Sequence, residues 1–343
     1  MYFIYEKVSS VTPKITCLLF LLASYSASAD ESLLLSNSEA LKDNQIKTET
    51  RVVEVISEDE FDDEVQELPS LMQKLQVEQA ASRNPYVLLP HKPNYFLPLT
   101  YQRSPSNREV NRALSQFADE PLEVADGFDH PEAIFQLSLK YMLAENVLGP
   151  MSRIDLGYTN ISYWQVYNGD ISRPFRETNH EPEIMLTWGI RDYWVDMIRL
   201  SLNHQSNGQN STLSRSWNRV IVDVTSVVDS GVVSMRAWWR IPEANSADPD
   251  DPSDDDNPDI LEYMGYGELS YLKLMKKHQF EIRVRNNLNF DENRGAVTLG
   301  YTFPLTSRVK GYVQYFNGYG ESLIDYDRYQ ERIGVGIKLS DWF

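Results

Sequence analysis

The 343-residue chain contains a single cysteine, Cys17, and only its N-terminal part carries a sustained apolar run. The cysteine lies inside that run, residues 15–23, which follows basic residues and precedes an Ala-Ser-Ala sequence at 27–29. These features predict a secretory signal peptide over residues 1–29. The mature chain is then expected to have no thiol and no disulfide. A membrane-spanning helix is excluded because no later segment approaches about eighteen consecutive apolar residues.

Basic residues are also scarce: 32 Lys and Arg stand against 50 Asp and Glu, a formal net charge of −18. The acidic excess is local. Eight carboxylates lie between Glu54 and Glu67 and eight more between Glu243 and Asp259, so removing these sixteen from the fifty leaves 34 acidic residues against 32 basic ones. The body of the chain is near neutral and lacks the basic stripe that phosphate backbones require, so no nucleic-acid partner is expected.

The chain divides by composition into further segments after the signal peptide. Residues 30–82 contain the first acidic run without steady periodicity, which predicts an acidic, flexible extension. Residues 83–131 begin rich in proline and aromatic residues and are expected to form a lead-in or plug segment. Residues 132–343 consist of segments of about ten residues in which apolar and polar positions alternate, the pattern of β-strands. Phe280, Ile282 and Val284, for example, alternate with charged residues.

This alternation alone is compatible with a water-soluble sandwich, but three features favour a barrel in lipid. Charged residues occupy the polar face of several strands, as in a barrel with a polar interior. The 20 Tyr and seven Trp recur near segment ends, as at Trp238-Trp239, where aromatic girdles lie. The last alternating segment ends on Phe343. We therefore predict an all-β fold, an antiparallel transmembrane β-barrel of about twelve strands in the bacterial outer membrane, with a narrow lumen.

The polar stretch 203–219 joins two of the predicted strands and contains the strongest candidate site. His204 and Ser206 share parity with Leu200 and Leu202 on the first strand, and Asn218 shares parity with the apolar residues that follow it. Residues two apart on a strand project to the same side. All three polar side chains are therefore predicted to project from the apolar, lipid-facing side of the sheet.

The three residue types support nucleophilic catalysis. A serine needs a base to take its proton, and the base needs a third group to hold its ring in one tautomer. Residues two apart on a strand are roughly 6.5 to 7 Å apart at Cα, so His204 can accept from Ser206. Asn218, on the adjacent strand, can orient the ring through its amide oxygen. Polar groups in lipid are costly, and a functional role accounts for three of them at one rim.

Several motifs extend this interpretation, and together they resemble the outer membrane phospholipase A family over about residues 84–343. The motifs are NHQSNG and SRSWNR within 203–219, FRETNHEPE at 175–183, NPDI at 257–260, YMGY at 263–266 and NGYGESLIDY at 317–326. The resemblance implies a twelve-stranded barrel with a lipid-facing active site, in which His204 is the general base, Ser206 the nucleophile and Asn218 the orienting residue.

The resemblance also implies a calcium site shared between two subunits. Its ligands would be Ser172 from the partner subunit together with Gln209 and Ser214 of this chain, and Asp256 would be a further calcium-binding carboxylate. Oxygen ligands suit a hard cation such as Ca²⁺.

Three positions depart from the family pattern. Gln209 stands where the family commonly has an Arg. In the family this position binds calcium through its backbone carbonyl, so the change of side chain is expected to matter little. Ser211 stands where a carboxylate is frequent, which is expected to weaken a secondary calcium site. Asn160 stands where the family has a Gln at the dimer interface, and the shorter side chain predicts a wetter or weaker dimer.

The expected function is calcium-dependent hydrolysis of membrane phospholipid by a dimer. Two alternatives remain open at the level of sequence. One is a non-catalytic barrel, a small channel or an adhesin, with the polar rim as an interaction site. The other is a barrel protease, which would need carboxylate and His groups above the lumen and is disfavoured because the chain has only five histidines.

Overall fold

The computed structural model describes residues 81, 84, 86–108, 111, 127–190, 194–209, 213–228, 231–244, 255–306 and 309–340. The expected signal peptide, the acidic extension apart from residue 81, and the terminal Phe343 lie outside these residues. No helix in the described part of the chain has the length and apolar character needed to cross a membrane.

Within the described residues the fold is a closed antiparallel barrel of twelve long strands, β2 to β13, with a two-residue strand β1 beside it. Each long strand is hydrogen-bonded to the next, and β13 pairs with β2 to close the ring. The strands are β1 (Leu89–Pro90), β2 (Asn94–Gln102), β3 (Pro131–Glu145), β4 (Ser152–Trp164), β5 (Phe175–Gly189), β6 (Met197–Ser206), β7 (Ser216–Val228), β8 (Gly231–Ile241), β9 (Gly267–Met275), β10 (His278–Asn286), β11 (Gly295–Pro304), β12 (Lys310–Gly318) and β13 (Gln330–Ser340). The predicted all-β, twelve-stranded barrel is confirmed.

The barrel begins earlier than its predicted first residue, 132. Its first long strand, β2, lies in the segment that the sequence predicts to be a lead-in or plug, and the other eleven begin at Pro131. The strand is inconspicuous in the sequence because Pro98 falls within it and its pairing with β3 shifts register between Leu97 and Thr100. A proline and a bulge both interrupt the period of two that identifies a strand.

The two faces of the sheet have opposite polarity, and the polar face is the buried one. On β6, Leu200 and Leu202 are 40% and 54% exposed, whereas Arg199, Ser201 and Asn203 between and beside them are buried. A water-soluble sandwich would bury the apolar positions instead. The apolar side chains therefore point outward towards lipid and the polar ones into the lumen, as in outer-membrane barrels.

The lumen is occupied by charged side chains. Glu132 on β3 accepts from Arg176 on β5 at 3.0 Å and also contacts Arg332 on β13. Arg176 contacts Asp325 at 2.7 Å, and Arg332 contacts Glu321 at 2.7 Å. β13, β3 and β5 are alternate strands around the ring, and Glu321 and Asp325 belong to the connection between β12 and β13. The ion pairs therefore link strands that are not hydrogen-bonded to one another and fasten that connection to the barrel wall.

The connections at the two ends of the barrel differ in length. Turns at one end are short, such as 276–277 between β9 and β10, whereas the other end carries long connections. The connection from β8 to β9 contains the short helix α1 (Ile260–Met264). Its buried residues pack with Trp217, Trp238 and Leu323. Because outer-membrane barrels have short periplasmic turns and longer outer loops, the end with α1 is the outer end.

Candidate active site

The predicted catalytic residues lie at the outer end of the barrel, on its lipid-facing side. In the antiparallel pair of β6 and β7, His204 is directly opposite Asn218 and Ser206 is opposite Ser216. All three predicted residues are half-buried, and they share the parity of the exposed Leu200. The structure thus brings together, on the outer surface, side chains that are fourteen residues apart in the chain.

Asn218 contacts the imidazole of His204 directly. The distance from His204 Nδ1 to Asn218 Oδ1 is 2.9 Å. The amide nitrogen of Asn218 donates to Oε1 of Glu243 at 2.7 Å. A carboxylate can only accept, so the amide group has its nitrogen towards Glu243 and its oxygen towards His204. The ring must then donate from Nδ1, and its Nε2 is left as an acceptor for a proton.

Ser206 lies two residues beyond His204, at the last position of β6. Both residues are described in the structure, and the imidazole of His204 forms no hydrogen bond with the hydroxyl of Ser206. Catalytic hydrogen bonds are often long in a substrate-free enzyme and tighten when substrate binds. What the backbone supplies is the placement of both side chains on one face of the same strand.

Asn207 contacts described residues at both ends of the connection after β6. Its Oδ1 accepts from the backbone N–H of Gln209 at 3.3 Å and of Arg215 at 3.0 Å, and its Nδ2 donates to the carbonyl of Leu213 at 2.8 Å. Gly208 has φ +64°, a left-handed conformation that favours glycine. The Asn-Gly pair therefore turns the chain sharply after Ser206.

A second histidine, His180, adjoins Ser206 on the other side. On β5 it is the register partner of Ser206, and its other neighbour across the sheet is Asn160 on β4. The hydroxyl of Tyr158 lies 2.7 Å from His180 Nδ1. The side-chain nitrogen Nδ2 of Asn160 is 3.4 Å from the same atom. Asn160, which departs from the family pattern, therefore makes a contact within its own chain.

Two of the predicted calcium ligands meet in the structure. The hydroxyl of Ser214 donates to Asp256 Oδ2 at 2.5 Å. The other carboxylate oxygen of Asp256 accepts from the backbone N–H of Ser216 at 3.1 Å. Gln209 is exposed and its backbone N–H donates to Asn207. Ser172 is exposed in the separate loop after β4, at φ +62°. A residue contributed by a second subunit would need such an exposed position. Ser211 lies outside the described residues.

Three acidic side chains form a cluster beside the predicted catalytic residues. One oxygen from each of Glu243, Asp255 and Asp256 lies within 4.8 Å of the others. Burial raises the pKa of the Glu243 carboxyl; the hydrogen bond from Asn218 and the charge of Arg240 oppose the shift, and the two aspartates add to it. The cluster offers only oxygen donors, and its carboxylates repel one another, so its chemistry fits a hard divalent cation such as calcium.

Three residues at the site, His180, Glu243 and Asp255, were not predicted from the sequence. The signal for His180 was present, because it shares parity with the outward-facing Ile184 and Leu186 on β5. Glu243 and Asp255 carried no comparable signal. They belong to a run of carboxylates, and the spacing within that run does not show which side chains reach the site.

The fold and the site define a class of protein: an outer-membrane β-barrel with a serine, histidine and asparagine facing lipid at its outer rim. The family model for phospholipase A1 matches residues 71–339. The chain is 34% identical over 271 residues to phospholipase A1 of Escherichia coli K12, covering 76% of this chain and 84% of the relative. It is 35% identical over 269 residues to phospholipase A1 of Klebsiella pneumoniae, covering 76% and 85%.

Solved structures agree with this relationship. A calcium-bound dimer of the Salmonella typhi outer membrane phospholipase is similar with a TM-score of 0.66 and 32% identity, covering 78% of this chain and 98% of that one. Outer membrane phospholipase A from Escherichia coli is similar with a TM-score of 0.65 and 32% identity, covering 76% and 94%. The chain belongs to the phospholipase A1 family.

Proposed function

We propose that the protein is a calcium-dependent outer-membrane phospholipase that hydrolyses acyl ester bonds of glycerophospholipids at both the A1 and A2 positions. The observation that carries the proposal is the His204–Asn218 contact of 2.9 Å on the outward face of the barrel. A nucleophile that adjoins this pair on the lipid side meets acyl chains and ester groups of the bilayer. A soluble substrate in the lumen would not reach it.

In the proposed reaction Ser206 Oγ attacks the acyl ester carbon while His204 Nε2 takes the hydroxyl proton. Asn218 holds the ring with its oxygen on Nδ1. The backbone N–H of Ser206 would donate to the oxyanion of the tetrahedral intermediate. The ester C–O bond then breaks, and His204 returns the proton to the leaving lysophospholipid oxygen. Water hydrolyses the acyl-enzyme by the same route and releases a fatty acid.

The residues that would hold calcium are Ser214, Gln209 and Asp256 of one subunit and Ser172 of the other. Calcium bound there would supply positive charge that stabilises the developing oxyanion. Two observations support this donor set. Ser214 and Asp256 are in hydrogen-bond contact, and the acidic cluster that includes Asp256 has no donor other than oxygen. The solved Salmonella relative is a calcium-bound dimer.

The proposal includes activation by dimerisation. Two copies would associate through their outward apolar faces in the membrane, and the clefts between them would accept acyl chains. Each cleft would then take Ser172 from one copy and Ser206 from the other. Phospholipids normally face the periplasm, so the enzyme would stay idle at the outer rim until lipid asymmetry is disturbed.

A direct test measures hydrolysis of a defined phospholipid in detergent by the wild type and by Ser206→Ala, with calcium and with a chelator. We expect fatty acid release only from the wild type with calcium. Calcium-dependent release by Ser206→Ala would refute the assignment of the nucleophile.

The alternative of a non-catalytic channel is disfavoured by the lumen. Buried charged pairs such as Glu132–Arg176 lie inside it, and α1 packs against Trp217 and Leu323 at its outer end. The test is labelling with a serine-directed fluorophosphonate: modification of Ser206 supports the enzyme, whereas ion conductance without labelling would support the channel.

A further inference from the structure

Glu243 contacts the catalytic group without belonging to it. It lies two residues after Ile241, which ends β8 and is the register partner of Asn218 on β7. Its side chain is only 13% exposed. Through Oε1 it accepts a hydrogen bond of 2.7 Å from Asn218 Nδ2. The chain therefore places a largely buried carboxylate behind the residue that orients the base.

We propose that Glu243 is a positioning residue that completes a four-member chain, Ser206–His204–Asn218–Glu243, and supplies to the imidazole the negative charge that asparagine lacks. The proposal rests on the proposed function, because it needs Ser206 and His204 to react. Glu243 itself touches neither substrate nor the reacting atoms. It acts through Asn218.

The first effect of Glu243 is on the orientation of the amide. An unrestrained asparagine can present either its oxygen or its nitrogen to a neighbour. If the nitrogen of Asn218 faced His204, the ring would have to accept at Nδ1 and carry its proton on Nε2, the atom that must receive the proton of Ser206. Because Glu243 can only accept, it removes this unproductive arrangement.

The second effect is electrostatic. A carboxylate beside an imidazole stabilises the imidazolium that forms when the base takes a proton, and a neutral amide does so less well. Hydrogen-bonded groups polarise one another, so a charge on Glu243 makes the oxygen of Asn218 a stronger acceptor. Arg240 offsets this charge only in part, because its Nη2 is 2.5 Å from Asp255 and 3.7 Å from Glu243.

A competing role for Glu243 is that of a calcium ligand, since it is also part of the acidic cluster with Asp255 and Asp256. The two roles predict different behaviour. A ligand affects how much calcium is needed, and its loss is overcome by more calcium. A positioning residue affects the rate at saturating calcium, and its effect disappears when Asn218 is absent.

The experiment compares Glu243→Leu, which removes the acceptor, with Glu243→Gln, which keeps an acceptor oxygen but no charge. The rate of phospholipid hydrolysis is measured at saturating calcium with the full-length, refolded protein. The reactivity of Ser206 is measured separately by fluorophosphonate labelling. We expect Glu243→Leu to lower kcat about 10-fold with KM little changed, and Glu243→Gln to lower it about 3-fold. Glu262→Gln, an exposed carboxylate of the same connection, is the matched control and should retain wild-type activity.

Two further backgrounds separate coupling from a general structural effect. In Asn218→Ala, Glu243→Leu should cause no additional loss, because the group through which it acts is gone. In Asn218→Asp, two carboxylates would face each other, so Glu243→Gln should increase activity and labelling instead of lowering them. This reversal of sign does not require Glu243→Leu to fold.

The proposal is overturned if extra calcium restores Glu243→Leu, if its loss is the same in the Asn218→Ala background, or if Glu243→Gln also lowers the activity of Asn218→Asp. Failure of the proposed function looks different: the wild type itself would then show neither hydrolysis nor labelling of Ser206.

Discussion

His204 and Asn218 face each other as directly opposed residues of β6 and β7, with Nδ1 of the ring 2.9 Å from the amide oxygen. Because the two strands are adjacent in an antiparallel sheet, this contact depends on backbone pairing and not on a flexible loop. The imidazole of His204 is therefore held in one orientation without substrate, which would lower the cost of reaching the productive geometry if His204 is the proposed base.

Substituting Asn218 should separate orientation from nucleophilic attack. We expect Asn218→Ala to lower kcat by about 10- to 100-fold, because the ring loses its partner while Ser206 and His204 remain. Ser206→Ala should abolish activity. Fatty acid release by the two variants tests whether the loss is smaller for Asn218→Ala. Folding of each barrel is verified by its heat-dependent mobility in gels. An equal loss for both variants would assign Asn218 a different role.

The two histidines at the rim should contribute unequally. His204→Ala should abolish hydrolysis, since its Nε2 is the proposed proton acceptor. His180→Ala should retain at least roughly a third of the activity, because Nδ1 of His180 is engaged by Tyr158 and removing a group that does not act as the base costs little. Parallel measurements of kcat check this, and a complete loss in His180→Ala would make it the base instead.

Calcium dependence should respond to the acidic cluster. Asp256→Ala removes a carboxylate that contacts Ser214 and the backbone of Ser216, and we expect the half-saturating calcium concentration to rise about 10-fold. Activity should return towards the wild-type value at high calcium. Calorimetric titration of calcium into the protein gives a second readout. An unchanged calcium requirement in Asp256→Ala would contradict the proposed ligand set.

The stability of the barrel should depend strongly on the charges of the lumen. Glu132 is fully buried between Arg176 and Arg332. Because Glu132→Ala removes the carboxylate that both arginines contact, it should reduce the free energy of unfolding by about 3–5 kcal/mol. Denaturant unfolding in detergent measures the change.

A surface ion pair provides the control for that experiment. The side chain of Arg103 is 74% exposed where it contacts Glu331. Arg103→Ala should cost no more than about 1 kcal/mol, since solvent screens an exposed pair. Equal effects of the two substitutions would mean that the buried charges of the lumen stabilise the barrel no more than an exposed ion pair does.

The local sequence determined the class of fold and the direction of the side chains of His204, Ser206 and Asn218. Side chains on a strand alternate with a period of two, so the apolar residues of β6 were enough to predict that His204 and Ser206 face lipid. The same rule on β7 placed Asn218 on that face. No contact between distant residues was needed for these inferences, because parity belongs to the backbone of each strand alone.

Only the tertiary structure decided which residues from other parts of the chain reach the site. His180 adjoins Ser206 through the register of β5 and β6, and Glu243 reaches Asn218 across β7 and β8. The strand β2 is recognisable only from its partners. Strand register and loop conformation depend on contacts throughout the barrel, so the sequence of a single segment does not determine them. In a run of similar carboxylates, the sequence does not show which side chain reaches the site.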